Sequence, residues 1–321
     1  MRVLVTGASG TLGAATARAL AARGDQVTVL QRRPAGLGLP EVLADVADTD
    51  AVRAATTGHD VVLHLAARVG YSGTWPEYAR ANIAGTRSVI AACRTAGVGR
   101  LVHVSSPSVA HAGSSLVGLG AGTADPSRAR GSYARSKAAA EQVALAADGP
   151  DLAVTAIRPH LVWGPGDQQL VGRIVERARA GRLVLVGTGA ALMDSTFTDN
   201  AVTALLAAVD RTHAAAGRAL VVSNGEPRPV AELLAGICAA AGVPGPRRRV
   251  PPALAYAAGL VAEGLGRVQH REPPMTRFLV EQLSTAHWFD QRETRTVLDW
   301  RPTVSLDEGF DRLAAAFAER S

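Results

Sequence analysis

Apolar residues in the first half of the chain come in short unbroken runs, separated by longer amphipathic stretches rich in alanine. Residues 2–6 (Arg-Val-Leu-Val-Thr) predict a strand, followed by a glycine-rich turn and a helix to about Arg23. Gly24-Asp25 makes a turn into a second strand, Val27–Gln31. A short third strand is expected at Leu43–Asp45, then a helix from about Thr49. Val61–His64 reads as a fourth strand, about Pro76 to Ala96 as one long helix, and Leu101–Val104 as a fifth strand. Tyr133–Ala147 is expected to be helical and Leu152–Ile157 to be a sixth strand. Strands alternating with helices at this pitch predict βαβ units. Continuous apolar strands fit a parallel sheet covered on both faces.

After about residue 165 the elements shorten, helices dominate, and prolines cluster at 244–252 and 272–274. No Gly/Ser linker or internal repeat divides the chain. The expectation is a nucleotide-binding part at residues 1–165, completed by a strand and helix returning at about 198–223. Residues 166–321 then form mainly a smaller, helical substrate-binding region on its edge. A cleft between the two parts is the expected ligand site.

Composition narrows the function classes. The chain has 321 residues, 47% of them hydrophobic, which suffices for a core although aromatics are few. The net charge of +6 is spread along the chain, without the basic, aromatic-interleaved patches of a nucleic-acid binder. Arg247-Arg248-Arg249 is the one basic triplet, read as a solvated turn before Pro251-Pro252. Cys93 and Cys238 sit in apolar contexts without metal-ligand spacing, so buried thiols are expected and no metal. No signal peptide is apparent, and the apolar run Ala253–Ala262 is too short to span a bilayer. A soluble cytoplasmic protein is the expectation.

Two features carry chemistry. Thr6-Gly7-Ala8-Ser9-Gly10-Thr11-Leu12-Gly13 joins the first strand to the first helix. Glycines there allow a tight turn and close backbone approach, and the helix N-terminus offers free N–H groups to a pyrophosphate. At the end of the second strand, where an acid would bind the adenosine ribose of NAD, stands Gln31-Arg32-Arg33. Guanidinium groups suit a 2′-phosphate, so NADP is preferred, with NAD the alternative. The second feature is Lys137, the only lysine in a chain otherwise furnished with arginine. It follows Tyr133 by four residues, so in a helix the two share a face. Lysine and arginine differ wherever a compact ammonium with an adjustable pKa is required.

These features, in this order and spacing, resemble the extended short-chain dehydrogenases/reductases, the superfamily of NAD-dependent epimerases and dehydratases. The similarity is greatest to their 3β-hydroxysteroid dehydrogenase-like branch. It covers essentially the whole chain. Besides the glycine turn and Tyr133–Lys137, its markers are Asp45-Val46, His64-Leu65-Ala66-Ala67 and Asn82-Ile83-Ala84-Gly85-Thr86. Further along come Ser105-Ser106-Pro107-Ser108-Val109, Arg158-Pro159-His160-Leu161-Val162-Trp163-Gly164-Pro165 and Phe197–Val202. The resemblance implies a Rossmann-type doubly wound α/β fold.

It also implies roles. Tyr133 would be the general acid or base, tuned by Lys137, which would also hold the nicotinamide ribose. Ser106 would bind the substrate oxygen, with Ser105 the adjacent alternative, and Asn82 would belong to a proton relay. The cofactor would contact Gly7, Gly10, Thr11, Leu12, Gly13, Arg32 and Arg33. Its further contacts would be Asp45, Val46, Leu65, Ala66, Ala67, Ser105, Pro159 and Val162. Ser108, His160 and Trp163 would face the substrate, and a homodimer would form through the helices around Asn82 and after Tyr133, with Ala138-Ala139-Ala140 as a smooth contact. The resemblance is looser after Val109, where Ser114–Gly122 is apolar and expected to be flexible rather than acidic. That favours a hydrophobic substrate over a sugar. The expected activity is NAD(P)-dependent interconversion of a secondary alcohol and a ketone. A nucleotide-sugar epimerase or dehydratase, and a non-catalytic dinucleotide sensor, are the alternatives.

Overall fold

The computed structural model describes residues 1–70, 73–269 and 276–319, without the side chains of 264–269. The proline cluster at 272–274 lies outside the described residues. Seven parallel strands form the central sheet: β1 (Arg2–Thr6), β2 (Gln26–Gln31), β3 (Glu41–Leu43), β4 (Val61–His64), β5 (Arg100–Val104), β6 (Ala153–Pro159) and β7 (Ala219–Val222). Their order is β7-β6-β5-β4-β1-β2-β3. The order reverses beside β1, and a ligand crevice opens at the carboxyl ends of the strands at such a point.

Alternation along each strand feeds two cores. Val3, Val5 and Leu63 point to one face, where α1 (Thr11–Ala22) and α7 (Thr198–Asp210) supply Leu20, Leu205 and Val209. Leu4, Val62 and Leu101 point to the other, against Val52 of α2 (Thr49–Thr56) and Val89 and Ile90 of α4 (Gly85–Ala96). Both faces are therefore dry, as the unbroken apolar runs require.

Four expectations change. The third strand is Glu41–Leu43, two residues earlier than expected, so Asp45 and Val46 lie beyond its end. The long helix around Asn82 is not uniform. It is α3 (Trp75–Tyr78), a π-helical stretch Ala79–Ala84, and then α4. At the junction, Gly85 lets α4 approach Val46 closely, since a Cβ there would lie 2.7 Å from Val46 Cγ2. The stretch 114–122 is not a flexible loop, since Leu116–Leu119 is a strand paired in parallel with His287–Phe289. The basic triplet also joins a strand, Arg248–Val250, paired with Val184–Val186.

The smaller lobe packs α6 (Val171–Arg179), α8 (Val230–Ala240) and, from the C-terminal end, α12 (Leu306–Ala318) around Ile174, Leu185, Met193, Leu233 and Ile237. Helices α9 (Pro252–Gln269) and α10 (Arg277–Ser284) pack on each other beside it, whereas α11 (Arg292–Leu298) packs on β7 and α7 and adds Leu298 to the core of the sheet. Among the described residues no helix is long and apolar enough to cross a membrane. Cys93 and Cys238 are buried free thiols.

Candidate active site

A cleft of about 780 Å³ runs from the β1–α1 turn across the carboxyl ends of β4, β5 and β6 into the smaller lobe. At one end the backbone dictates the shape. Gly7 has φ +82°, and a Cβ on it would sit 2.7 Å from the Ala66 nitrogen. A Cβ on Gly13 would collide with the Gly7 carbonyl oxygen. The N-cap of α1, Gly10, contributes no side-chain acceptor, and the first turn holds no acid. The opening N–H groups of that helix, at Thr11, Leu12 and Gly13, are therefore left for an anion. This cradle, whose close backbone packing leaves no room for a Cβ at Gly7 or Gly13, fits a dinucleotide pyrophosphate. Arg32 and Arg33, both exposed, border the same end with Asp45 and Val46. Beside them Gln31 is buried and its amide nitrogen donates to Glu41.

The middle of the cleft is built on β5, β6 and α5 (Gly131–Leu145). Tyr133 and Lys137 are one helical turn apart on α5, and both line the cleft. Lys137 is 3% exposed, and its Nζ donates to the Val104 carbonyl at 2.6 Å. Burial pulls its pKa down to about 8, and Glu141 one turn further on opposes that shift. Ser105, at the end of β5, is buried, with a hydroxyl that has no hydrogen-bond partner. Ser106 Oγ accepts from the Ser108 backbone nitrogen at 3.3 Å and lies 3.0 Å from Ser108 Oγ. All three serines line the cleft, as do Leu65, Ala66 and Ala67 after β4.

Asn82 does not line the cleft. It is buried behind it, where Oδ1 accepts from the Arg68 nitrogen at 2.7 Å. Its Nδ2 donates to Ser136 Oγ at 2.8 Å and to the Arg68 carbonyl at 3.2 Å. Ser136 Oγ in turn donates to the Tyr133 carbonyl at 2.8 Å. Asn82 thus ties the strand-end loop that lines the cleft to the first turn of α5. Its place in a π-helical stretch matches the habit of such bulges to occur at functional sites.

After β6 the chain passes Pro159, His160, Leu161, Val162 and Trp163, all on the cleft. His160 donates from Nδ1 to the Asp194 carbonyl at 2.6 Å, which leaves Nε2 unprotonated. Burial lowers its pKa to about 4, so it stays neutral. Trp163 is 1% exposed, donates to Ser195 Oγ at 3.0 Å and packs against Phe197 and Phe310. It is more a pillar of the lobe than an open contact surface.

Several lining residues carry no motif. Leu161 has φ +42°, a strained left-handed conformation for a branched residue, directly at the site. The far wall comes from Leu170 and Ile174 before and on α6, Leu233 and Ile237 on α8, and Phe278 and Leu283 on α10. The stretch 114–122 does not line the cleft, so the apolar character of the substrate end comes from these helices instead. Ala138 and Ala140, expected as a smooth outer contact, are fully buried in the monomer.

The NAD dependent epimerase/dehydratase family model matches residues 3–223. The chain is 44% identical to a 2-alkyl-3-oxoalkanoate reductase of Stenotrophomonas maltophilia, over 99% of this chain and 100% of the other. It is 31% identical to the decarboxylating sterol-4-alpha-carboxylate 3-dehydrogenase of Mus musculus, over 98% and 90%. Among solved structures, MoeE5 in complex with UDP-glucose and NAD superposes with a TM-score of 0.77 at 25% identity, covering 100% of this chain and 99% of that one. The chain therefore belongs to the NAD-dependent epimerase/dehydratase family, the extended short-chain dehydrogenases/reductases, and is an oxidoreductase of that type.

Proposed function

We propose that the protein reduces the ketone of a hydrophobic 3-oxoacid or sterol-like substrate to a secondary alcohol, with NADPH preferred over NADH. The observation that carries this reading is Lys137: the sole lysine, buried at the cleft and one turn from Tyr133. The glycine cradle holds the pyrophosphate, Arg32 and Arg33 meet the 2′-phosphate, and Lys137 reaches the nicotinamide ribose. When bound, the nicotinamide supplies hydride to the carbonyl carbon. Tyr133 gives its phenolic proton to the carbonyl oxygen. Lys137, still mostly an ammonium at neutral pH with a pKa of about 8, favours the phenolate left behind. Ser106, backed by Ser108, fixes the carbonyl oxygen, and Ser105 faces the cofactor side. Asn82 positions Tyr133 through Ser136. The apolar wall of α6, α8 and α10 holds the alkyl part of the substrate and excludes water. His160 keeps an unprotonated Nε2 on that side. The 2-alkyl-3-oxoalkanoate reductase relative supports a substrate of this chemistry.

NADPH and NADH oxidation against 2-alkyl-3-oxoalkanoates and sterol ketones tests the reading. The expected result is consumption of NADPH in preference to NADH. Tyr133→Phe is expected to lower kcat by roughly 10²–10⁴-fold with cofactor affinity unchanged. No oxidation with any ketone, combined with NAD retained through purification, would instead indicate epimerase or dehydratase chemistry. The reading also includes a cytoplasmic protein and a homodimer through exposed positions of α4 and α5, such as Arg87 and Gln142.

A further inference from the structure

Helix α9 carries no charged side chain from Pro252 to Ala262, yet only one side of it is covered. The inner side is tightly seated. Ala255 is 3% exposed, and a Cβ on Gly259 would lie 3.0 Å from the Arg277 nitrogen at the start of α10. Glu263 accepts from the Arg277 backbone nitrogen, Nε and Nη2 at 2.8, 3.1 and 2.9 Å. The polar groups of this junction are therefore paired between α9 and α10.

The outer side is apolar. Leu254, Leu260 and Val261 are 63%, 52% and 62% exposed, and Ala257 and Ala258 are exposed with them, while Tyr256, 37% exposed, turns back to hydrogen-bond Arg277. Leu254, Ala257, Ala258 and Val261 fall at i, i+3, i+4 and i+7, one continuous stripe. Among the described residues eleven large hydrophobic side chains are exposed, and four belong to this helix, more than to any other element. A cluster of that kind marks an interaction surface. Its partner is indicated by charge. Arg247, Arg248 and Arg249 precede the helix, two residues before its start, all three are exposed, and none makes an ion pair among the described residues.

We propose that this face docks the protein on an anionic lipid bilayer, with α9 lying in the interface and the arginines on headgroup phosphates. The charge-free stretch is about 16 Å long, enough to lie in the surface and far too short to cross it. A stripe of apolar residues flanked by arginines is the composition such helices require. Helix α10, directly beneath, forms part of the cleft wall through Phe278, Leu279 and Leu283. Docking therefore sets the apolar end of the cleft beside the acyl chains. The proposal does not depend on the reductase reading.

Flotation of the full chain with phosphatidylcholine vesicles, with and without phosphatidylglycerol, tests it. Three arginines predict a preference for the anionic vesicles on the order of a hundredfold, reduced by salt. Replacing Arg247, Arg248 and Arg249 by Gln is expected to abolish that preference. Leu254→Gln with Val261→Gln is expected to abolish flotation with either vesicle, while the thermal melt and turnover of a water-soluble ketone stay unchanged. The comparison of vesicles and salt on the wild-type chain needs no variant. Wild-type protein that stays in the aqueous phase with anionic vesicles overturns the proposal. So does flotation that survives both sets of substitutions, or a dimer by light scattering that Leu254→Gln with Val261→Gln dissolves, since a second copy would then cover the face.

Discussion

At the scale of a residue, Lys137 shows the cost at which the site is built. Its pKa falls from 10.5 to about 8 because burial disfavours the charged form. Between those values the unfolded chain holds a proton that the folded chain has released, so stability rises with pH there. Below about pH 8 the folded protein bears the full cost of the buried charge, about 3 kcal/mol. Lys137→Met is therefore expected to stabilise the protein at pH 7 by about 1–3 kcal/mol in urea unfolding while removing oxidoreductase activity. A lowered urea midpoint would show that the bond to the Val104 carbonyl outweighs desolvation. Lys137 was legible in the sequence because composition singles it out. Leu161 was not, since nothing in a leucine announces a positive φ; the strain belongs to the β6 exit and not to the residue.

At the scale of an element, α5 is a ladder of Tyr133, Lys137 and Glu141 at four-residue spacing. Its last rung is anchored by a buried ion pair. Arg158 Nε donates to Glu141 Oε2 at 2.8 Å, and both side chains are 1% exposed. Arg158 also donates to the carbonyls of Ala121 and Gly122. Glu141→Ala leaves that guanidinium unpaired, and the expected loss is about 3–5 kcal/mol in chemical denaturation. Arg158→Met in the same chain is expected to recover part of it, and strict additivity of the two changes would contradict a direct coupling. The periodicity of α5 was readable from its sequence. The strand Leu116–Leu119 was not, because its partner, His287–Phe289, lies at the other end of the chain and only long-range pairing makes it a strand. The π-helical turn at Asn82 escaped as well, since nothing in the residues of Ala79–Ala84 marks a π-helical register.

At the scale of the molecule, the Rossmann half followed from its order of strands, whereas the far wall of the cleft did not. Leu170, Ile174, Leu233 and Leu283 look the same in sequence whether they fill a core or face a ligand. The whole chain also shares a response to acid. Burial holds His64 at about 3, His160 at about 4 and His287 at about 3, and keeps His103 well below its ordinary value. Below about pH 6.5 the unfolded chain protonates these rings and the folded chain does not, so stability falls with pH. Asp194, raised to about 6 by burial, acts in the opposite direction, but it is one group against these four and His111, which burial also lowers. Urea midpoints are expected to fall as the pH drops from about 6.5 to about 4, and a flat profile would count against neutral burial of the cluster. The single buried lysine gives the molecule one more property. A protease that cuts only after lysine finds one target bond in the chain, and the native fold keeps it within a helix, so cleavage into two pieces counts the molecules that have opened.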